Sequence, residues 1–398
     1  MGRLTYTPCS DTLVNEFDPK SNSLTIVRWG LALAVVLSHS FPLGGYHGGV
    51  DPIYHYSGGQ GVDLGALAVA GFFVLSGFLI TRSYASSKNV GQFFWKRIIR
   101  IMPAFWLSLL LVAFVFGPLA WVHEGHALSA YFSYGGQSPW HFVFSNFFLT
   151  VHQWDIRNLL MNTPYGKGGA VVAWNGSLWT LIFEARCYII VGIFGFLGLL
   201  RFRWTVAALT GVFYVVTVLN AVTVPATTAT PNGTLQVLAV WIPNADAKLF
   251  FLFFLGSCFA LFQDKLLIDD RLGVASLIAA VLFFHYGGFD AMGLALYAYF
   301  LIWFVTRVRL SGFEKYGDPS YGTYVLAFPI QMMLADYGFS KIGRLHSTLG
   351  MLEYVVLSLV LSTVAAYLSW HLLEKHALKL KRGLRRAERL TEPTHFAK

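Results

Sequence analysis

Five ionisable side chains of this sequence fall where charge is expensive. Arg28 and His39 lie in the apolar run VRWGLALAVVLSHSF, eleven positions apart. At 100° per residue that is about 20° from three full turns, so both occupy one face of a helix, roughly 16 Å apart along its axis. Glu184 lies in NGSLWTLIFEARCYII, and Arg97 and Arg100 stand three apart in FFWKRIIRIMPAFW. Ionisable groups inside a membrane are functional by default. An imidazole and a carboxylate at one depth make an acid–base pair, with Glu184 orienting and charging His39. Two guanidinium groups at a helix start make an anion site suited to phosphate. Each residue also has a plainer use. Arg28 can snorkel to the surface, His39 can be a hydrogen-bonded core histidine, and Glu184 can serve structure through another polar group. Arg97 and Arg100 can simply mark the inner end of a span.

The elements that must position these groups follow from composition. The chain has 398 residues, 56% hydrophobic and only 12% charged, with a mean hydropathy of +0.56. Soluble domains carry about 25% charged residues. A disordered chain, a nucleic-acid-binding domain and an ordinary cytosolic enzyme are thereby excluded, and an all-α, polytopic membrane protein is expected. Ten apolar segments are candidate spans, at about 26–44, 64–84, 101–120, 178–200, 204–224, 247–263, 272–286, 289–306, 321–337 and 350–373. The aromatic stretch 140–151 is too short to span and reads as interfacial or re-entrant. With both termini inside, 23 of the 29 Lys+Arg fall on the inner side. The charge of +9 is then a topology signal rather than a nucleic-acid footprint. In this frame Glu184 lies about seven residues below the outer boundary and His39 about thirteen above the inner one, which places them at matched depth in a core about 30 Å thick.

The expected organisation is a cytoplasmic arm over 1–25, a transmembrane domain over 26–373 with outer loops at about 45–63, 121–177 and 225–246, and a basic cytoplasmic tail over 374–398 suited to anionic membrane lipids. The first apolar run reads as a span rather than a cleaved signal. Three cysteines make no disulfide framework; Cys187 and Cys258 read as small apolar residues, and Cys9 lies in the arm. Gly71, Ser76 and Gly77 read chiefly as small residues for close helix packing. P-loop, GxSxG, HExxH and paired-cysteine motifs are missing. His123, Glu124 and His126 are too sparse a cluster to predict a metal. An intramembrane Arg/His/Glu set also suits a proton-coupled transporter or flippase.

Taken together, these segments resemble the integral-membrane acyltransferase family called acyltransferase 3, over nearly the whole chain. The resemblance rests on Arg28 and His39 in the first span, on FFVLSGFLI (Phe72 to Ile80), and on Arg97 and Arg100 followed by Ile101–Met102–Pro103. It continues in Leu178, Trp179, Thr180, Leu181 and Glu184 with Tyr188 after them, in Ser320, Tyr321, Tyr324 and Pro329, and in Glu374. Two positions depart: Ala327 replaces the usual late histidine, and Glu374–Lys375–His376 replaces an acid–base–proline ending. The resemblance implies an acyl-CoA donor, acetyl-CoA being expected, a carbohydrate or lipid-linked glycan acceptor, and residence in a bacterial-type inner membrane. It implies His39, Glu184 and Arg28 as the catalytic set and Arg97, Arg100 and Arg28 as the donor-binding set. Trp179, Tyr188 and Asp63 are expected to contact the acceptor.

Overall fold

The computed structural model describes residues 4–5, 11–19, 21–168, 172–223, 244–310, 312–313, 317–341 and 348–380. Each predicted apolar segment corresponds to a helix. These are α1 (Leu24–Gly44), α2 (Leu64–Ala85), α3 (Val90–Leu111), α4 (Leu181–Phe196), α5 (Arg203–Thr223), α6 (Asn244–Leu261), α7 (Asp270–Tyr286), α8 (Leu294–Arg307), α9 (Ser320–Asp336) and α10 (Thr348–Ser369). Among the described residues, seven helical stretches are long and apolar enough to cross a membrane. The segments at α6, α7 and α9 are shorter, with 18, 17 and 17 residues. The chain is thus an all-α polytopic membrane protein. The stretch 140–151 contributes only a short helix, Pro139–Ser145, whose neighbouring Phe147 stacks on Trp106 with ring centres 5.0 Å apart. Cys9 and most of the predicted 225–246 loop and basic tail lie outside the described residues.

Helix α2 is the inner post of the bundle and packs most extensively on α6. Small residues permit that approach: a Cβ on Gly77 would strike the Phe253 carbonyl, and one on Gly256 would strike that of Val74. Helix α9 is buried on almost every side, as a helix apolar all round should be. It carries Pro329, which has no N–H to offer the carbonyl four residues back. That freed carbonyl, on Val325, instead accepts hydrogen bonds from Ser108 Oγ at 3.0 Å and Asn175 Nδ2 at 2.7 Å. One proline therefore ties α3, the approach to α4 and α9 together, since an unsatisfied carbonyl in an apolar core costs several kcal/mol, by order of magnitude.

The N-terminal arm is stitched to one end of the bundle. Leu4–Thr5 pairs with Arg309–Leu310 and Asp11–Thr12 with Leu267–Ile268, both antiparallel. Arg307, almost fully buried, bonds Glu16 at 3.0 Å and Asp270 at 3.1 Å. At the other end, Gln60 Nε2 donates to the carbonyls of Phe283 and Phe284, and Gln60 Oε1 accepts from Phe289 N. The segments at the first end are those expected inside, and those at the second are expected outside.

Candidate active site

Two neighbouring cavities run through the bundle where α1, α2, α4 and α9 meet. The smaller, about 60 Å³, is lined by Arg28, Phe72, Thr180, Glu184, Tyr321 and Tyr324 among others. The larger, about 310 Å³, is lined by His39, Asp63, Ser177, Trp179, Lys248 and Tyr324 among others. Val69 and Tyr324 belong to both walls.

Below the smaller cavity the charges are paired. Asp318, just before α9, accepts from Arg28 Nη1 at 2.8 Å and Arg100 Nη2 at 2.6 Å. Arg100 also faces buried Glu374 at 3.6 Å. Burial pushes the Asp318 carboxyl up, but the Arg28 and Arg100 guanidiniums, with Ser320, outweigh it and hold the group down at about 2. Arg28 is therefore ion-paired rather than snorkelling. Arg97 and Arg100 do not form one fork. Arg97 Nη2 donates to Ser83 Oγ at 3.0 Å, while its Nε is buried without a partner. Their three-residue spacing puts them on adjoining faces, and the carboxylates of Asp318 and Glu374 draw only Arg100.

Glu184 sits in the first turn of α4, where a helix start favours negative charge. Asn175 caps the 3-10 turn that leads in, its Oδ1 accepting from Ser177 N at 3.2 Å. Glu184 Oε1 accepts from Ser76 Oγ at 2.8 Å and from Tyr188 Oη, one turn along the same face. Among the described residues no hydrogen bond or ion pair joins Glu184 to His39, contrary to the expected direct pairing. The two groups line different cavities. Glu184 and Tyr188 lie within electrostatic range of Arg97, so Tyr188 stands with this lower cluster, and it is not among the residues lining either cavity.

His39 is placed by its neighbours on α1 and α9. The Phe328 ring meets it edge-on, centroids 5.2 Å apart. Gln331 Nε2 donates to Val36 O and to Ser40 Oγ, each at 2.9 Å, and so clamps α1 to α9 at this level. His39 Nδ1 and Ser177 Oγ are both buried and without a partner, and both residues line the larger cavity. Asp63 caps α2, accepting from Ala66 N at 2.6 Å. Burial, and then the charge of Asp51, push its carboxyl above the ordinary value, against the pull of the Ala66 N–H. Lys248 pairs with Asp290 at 2.6 Å.

The groups present are a base without a protein partner, a polar and aromatic chamber, and a cluster of cations on the far side of a narrow partition. They suit group transfer between two ligands that approach from opposite sides. Comparison with known proteins decides the class, because the acyltransferase domain of the acyltransferase 3 family matches residues 21–371.

The chain belongs to that family.

The acyltransferase is 28% identical over 371 residues to an O-acetyl transferase of Shigella phage Sf6, covering 90% of this chain and 96% of the relative. It is 31% identical over 173 residues to nodulation protein 10 of Rhizobium leguminosarum bv. viciae, 42% of each chain. No solved structure matches it significantly.

Sequence reasoning missed Asp318, Ser76 and Lys248 as parts of this acyltransferase site. Asp318 stands two residues before Ser320, and an acid at the expected inner end of a span, the side on which Arg28 and Arg100 also fall, was the available signal. Ala327, where the family's late histidine is replaced, is buried. Helix α9 meets the cavities through Ser320, Tyr321 and Tyr324, and meets His39 through Phe328. His123 stacks on Tyr337, His126 packs on Trp121, and Glu124 accepts from Leu160 N. Among the described residues they do not converge on a metal site, nor does any other group of three such side chains.

Proposed function

We propose that this acyltransferase moves an acetyl group from acetyl-CoA, bound from the cytoplasmic side, to a hydroxyl of a carbohydrate or lipid-linked glycan at the extracytoplasmic side of a bacterial-type inner membrane, on ten spans with both termini inside. The observation that carries this reading is the pair of abutting cavities, one above a cluster of cations and one around an unpaired histidine. Arg97, with a buried N–H unspent, is the guanidinium available to donor phosphate. Arg28 and Arg100, held by Asp318, build the wall beside it.

In the larger chamber His39 takes the proton from the acceptor hydroxyl as that oxygen attacks the thioester carbon. The carbon–sulfur bond breaks as the ester forms, and His39 returns the proton to the leaving thiolate. Trp179 and Asp63 offer an aromatic face and a hydrogen-bond acceptor to a sugar. Glu184 secures Ser76 and Tyr188 and balances the charge of Arg97 instead of touching His39. The name of the phage relative supports acetyl as the group and oxygen as its destination.

The test is thiol release from acetyl-CoA by purified protein in nanodiscs, with and without crude envelope glycan. Glycan-stimulated release by wild type, lost in folded His39→Ala, is expected. Release that does not respond to glycan and persists in that variant overturns the reading.

A further inference from the structure

Of the two residues common to both cavities, Val69 and Tyr324, the tyrosine has an unused hydrogen-bonding capacity. Tyr324, buried on α9, lines the Arg28–Glu184 cavity and the His39 chamber alike. Its hydroxyl lies 2.6 Å from Thr180 Oγ1, buried in the turn that starts α4. Each hydroxyl owns one proton and two lone pairs. The contact between them uses one proton, whichever group donates, and the other proton is left over. No further hydrogen bond of Tyr324 or Thr180 side chains exists among the described residues to receive it. Thr180 lines the smaller cavity, so the surplus donor stands at the partition between the two spaces.

We propose that Tyr324 and Thr180 form a hydroxyl neck that donates a hydrogen bond to the thioester carbonyl oxygen. This rests on the two-sided transfer proposed above. A donor anchored among the lower cations must bring its thioester past Tyr324 to reach His39. As the acceptor oxygen adds to the carbonyl carbon, the C=O π electrons move onto oxygen, and the pair's free O–H meets that developing charge. When the carbon–sulfur bond breaks, the carbonyl reforms and the O–H is released unchanged. His39 handles the proton throughout, so the neck stabilises charge and transfers none. In a site shielded from water such a donor is worth more than in bulk.

Tyr324→Phe and Thr180→Val preserve shape and delete one hydroxyl each. Either single change leaves one hydroxyl able to turn to the carbonyl, and the double change leaves none. In nanodiscs, with folding checked by monodispersity and by acetyl-CoA binding, kcat for glycan-stimulated thiol release is expected to fall by about 10²–10³-fold in the double variant. Each single variant should lose less, and donor Kd should stay within about threefold, where the loss of a ground-state contact would move it. Thr180→Ser should keep wild-type kcat. A folded double variant with kcat within about threefold of wild type overturns the proposal. If the double variant is not recovered folded, Tyr324→Phe/Thr180→Ala against Tyr324→Phe/Thr180→Ser decides on kcat, equality overturning it. His39→Ala run alongside separates the two readings. If that variant is silent and the double variant normal, only the neck fails. If that variant stays active, the transfer mechanism beneath it fails as well.

Discussion

The two sides of the Tyr324 partition differ in what they leave unpaired. Below it, Asp318 gathers Arg28 and Arg100, Glu374 backs Arg100, and Glu184 is held by Ser76 and Tyr188. Above it, His39 Nδ1 and Ser177 Oγ are buried with nothing to bond. Burying an unpaired polar group costs roughly 1–3 kcal/mol, and a broken buried ion pair about 3–5 kcal/mol. The lower region holds its charge in pairs that the fold needs. The upper region leaves the imidazole itself unpaired, and on the function proposed above a substrate supplies its partner. Below the partition the unpaired atoms are of another kind: Arg97 has Ser83 at one end and an idle Nε at the other, the Tyr321 hydroxyl bonds nothing, and one Glu374 oxygen meets only the Arg100 charge.

The sharpest way to break this contrast is to delete one group on each side and read activity and stability separately. His39→Ala should lower glycan-stimulated turnover by about 10²–10⁴-fold, the usual weight of a general base. Because His39 bonds nothing in the protein through Nδ1, thermal unfolding in detergent should move little. A large fall in Tm with retained specific activity would reverse the assignment.

Asp318→Asn should do the opposite. It leaves two guanidiniums without their shared carboxylate, and a loss of about 3 kcal/mol is expected from breaking a buried pair. Arg100→Gln added to Asp318→Asn should recover part of it, because the pair then disappears together. The pH dependence has a definite sign. The carboxyl is held at about 2 against an ordinary 3.8, so its contribution is complete above pH 3.8 and is lost as pH falls through about 2. Wild-type Tm should therefore show no step from this group between pH 5 and 8. A step there that Asp318→Asn removes would place the carboxyl elsewhere.

The two arginines of the RIIR segment sharpen the contrast within a single turn. Arg97→Ala should raise the acetyl-CoA KM by about 10–100-fold, the loss of one charge-assisted hydrogen bond of about 1.5–3 kcal/mol, with little change in Tm. Arg100→Ala should chiefly lower Tm, since it takes the cation from Glu374 and leaves Asp318 with Arg28 alone. Equal KM effects from both, measured by donor titration at saturating glycan, would restore the symmetric phosphate fork that the sequence suggests.

What could be read from the sequence tracks what the membrane forces on it. The apolar segments, and the few charged residues inside them, stand out because hydrocarbon makes every exception costly. Arg28, His39 and Glu184 stand out on that basis, and each lines one of the two cavities. Contacts between distant elements left no such trace. Asp318 meets Arg28 across 290 positions, and Thr180 meets Tyr324 across 144. The direct His39–Glu184 pair was inferred from matched depth, but depth is one coordinate. Ser76 and Tyr188 supply nearer partners in the other two. Val325 is least legible of all, since its importance comes from a proline four residues later and from side chains on two other elements.

Asp63 carries the smallest expected effect and bears most directly on the upper chamber, because it has both a structural partner and a place in the wall. Asparagine caps a helix as well as aspartate does, whereas alanine costs about 1 kcal/mol. Asp63→Ala should therefore lower Tm slightly and Asp63→Asn should not. The carboxyl sits above its ordinary value because burial and the Asp51 charge disfavour ionisation, only partly offset by the Ala66 N–H. An acid raised on folding loses stability as pH rises from 3.8 through its raised value. At neutral pH the neutral asparagine escapes that loss, so Asp63→Asn should be as stable as wild type or slightly more so. With stability matched in this way, glycan KM becomes the informative reading. A rise of several-fold in Asp63→Asn, with donor KM unchanged, would assign the carboxylate to the acceptor. An unchanged glycan KM would leave Asp63 as a helix cap alone, and the upper chamber's polarity would then rest on His39, Ser177 and Lys248.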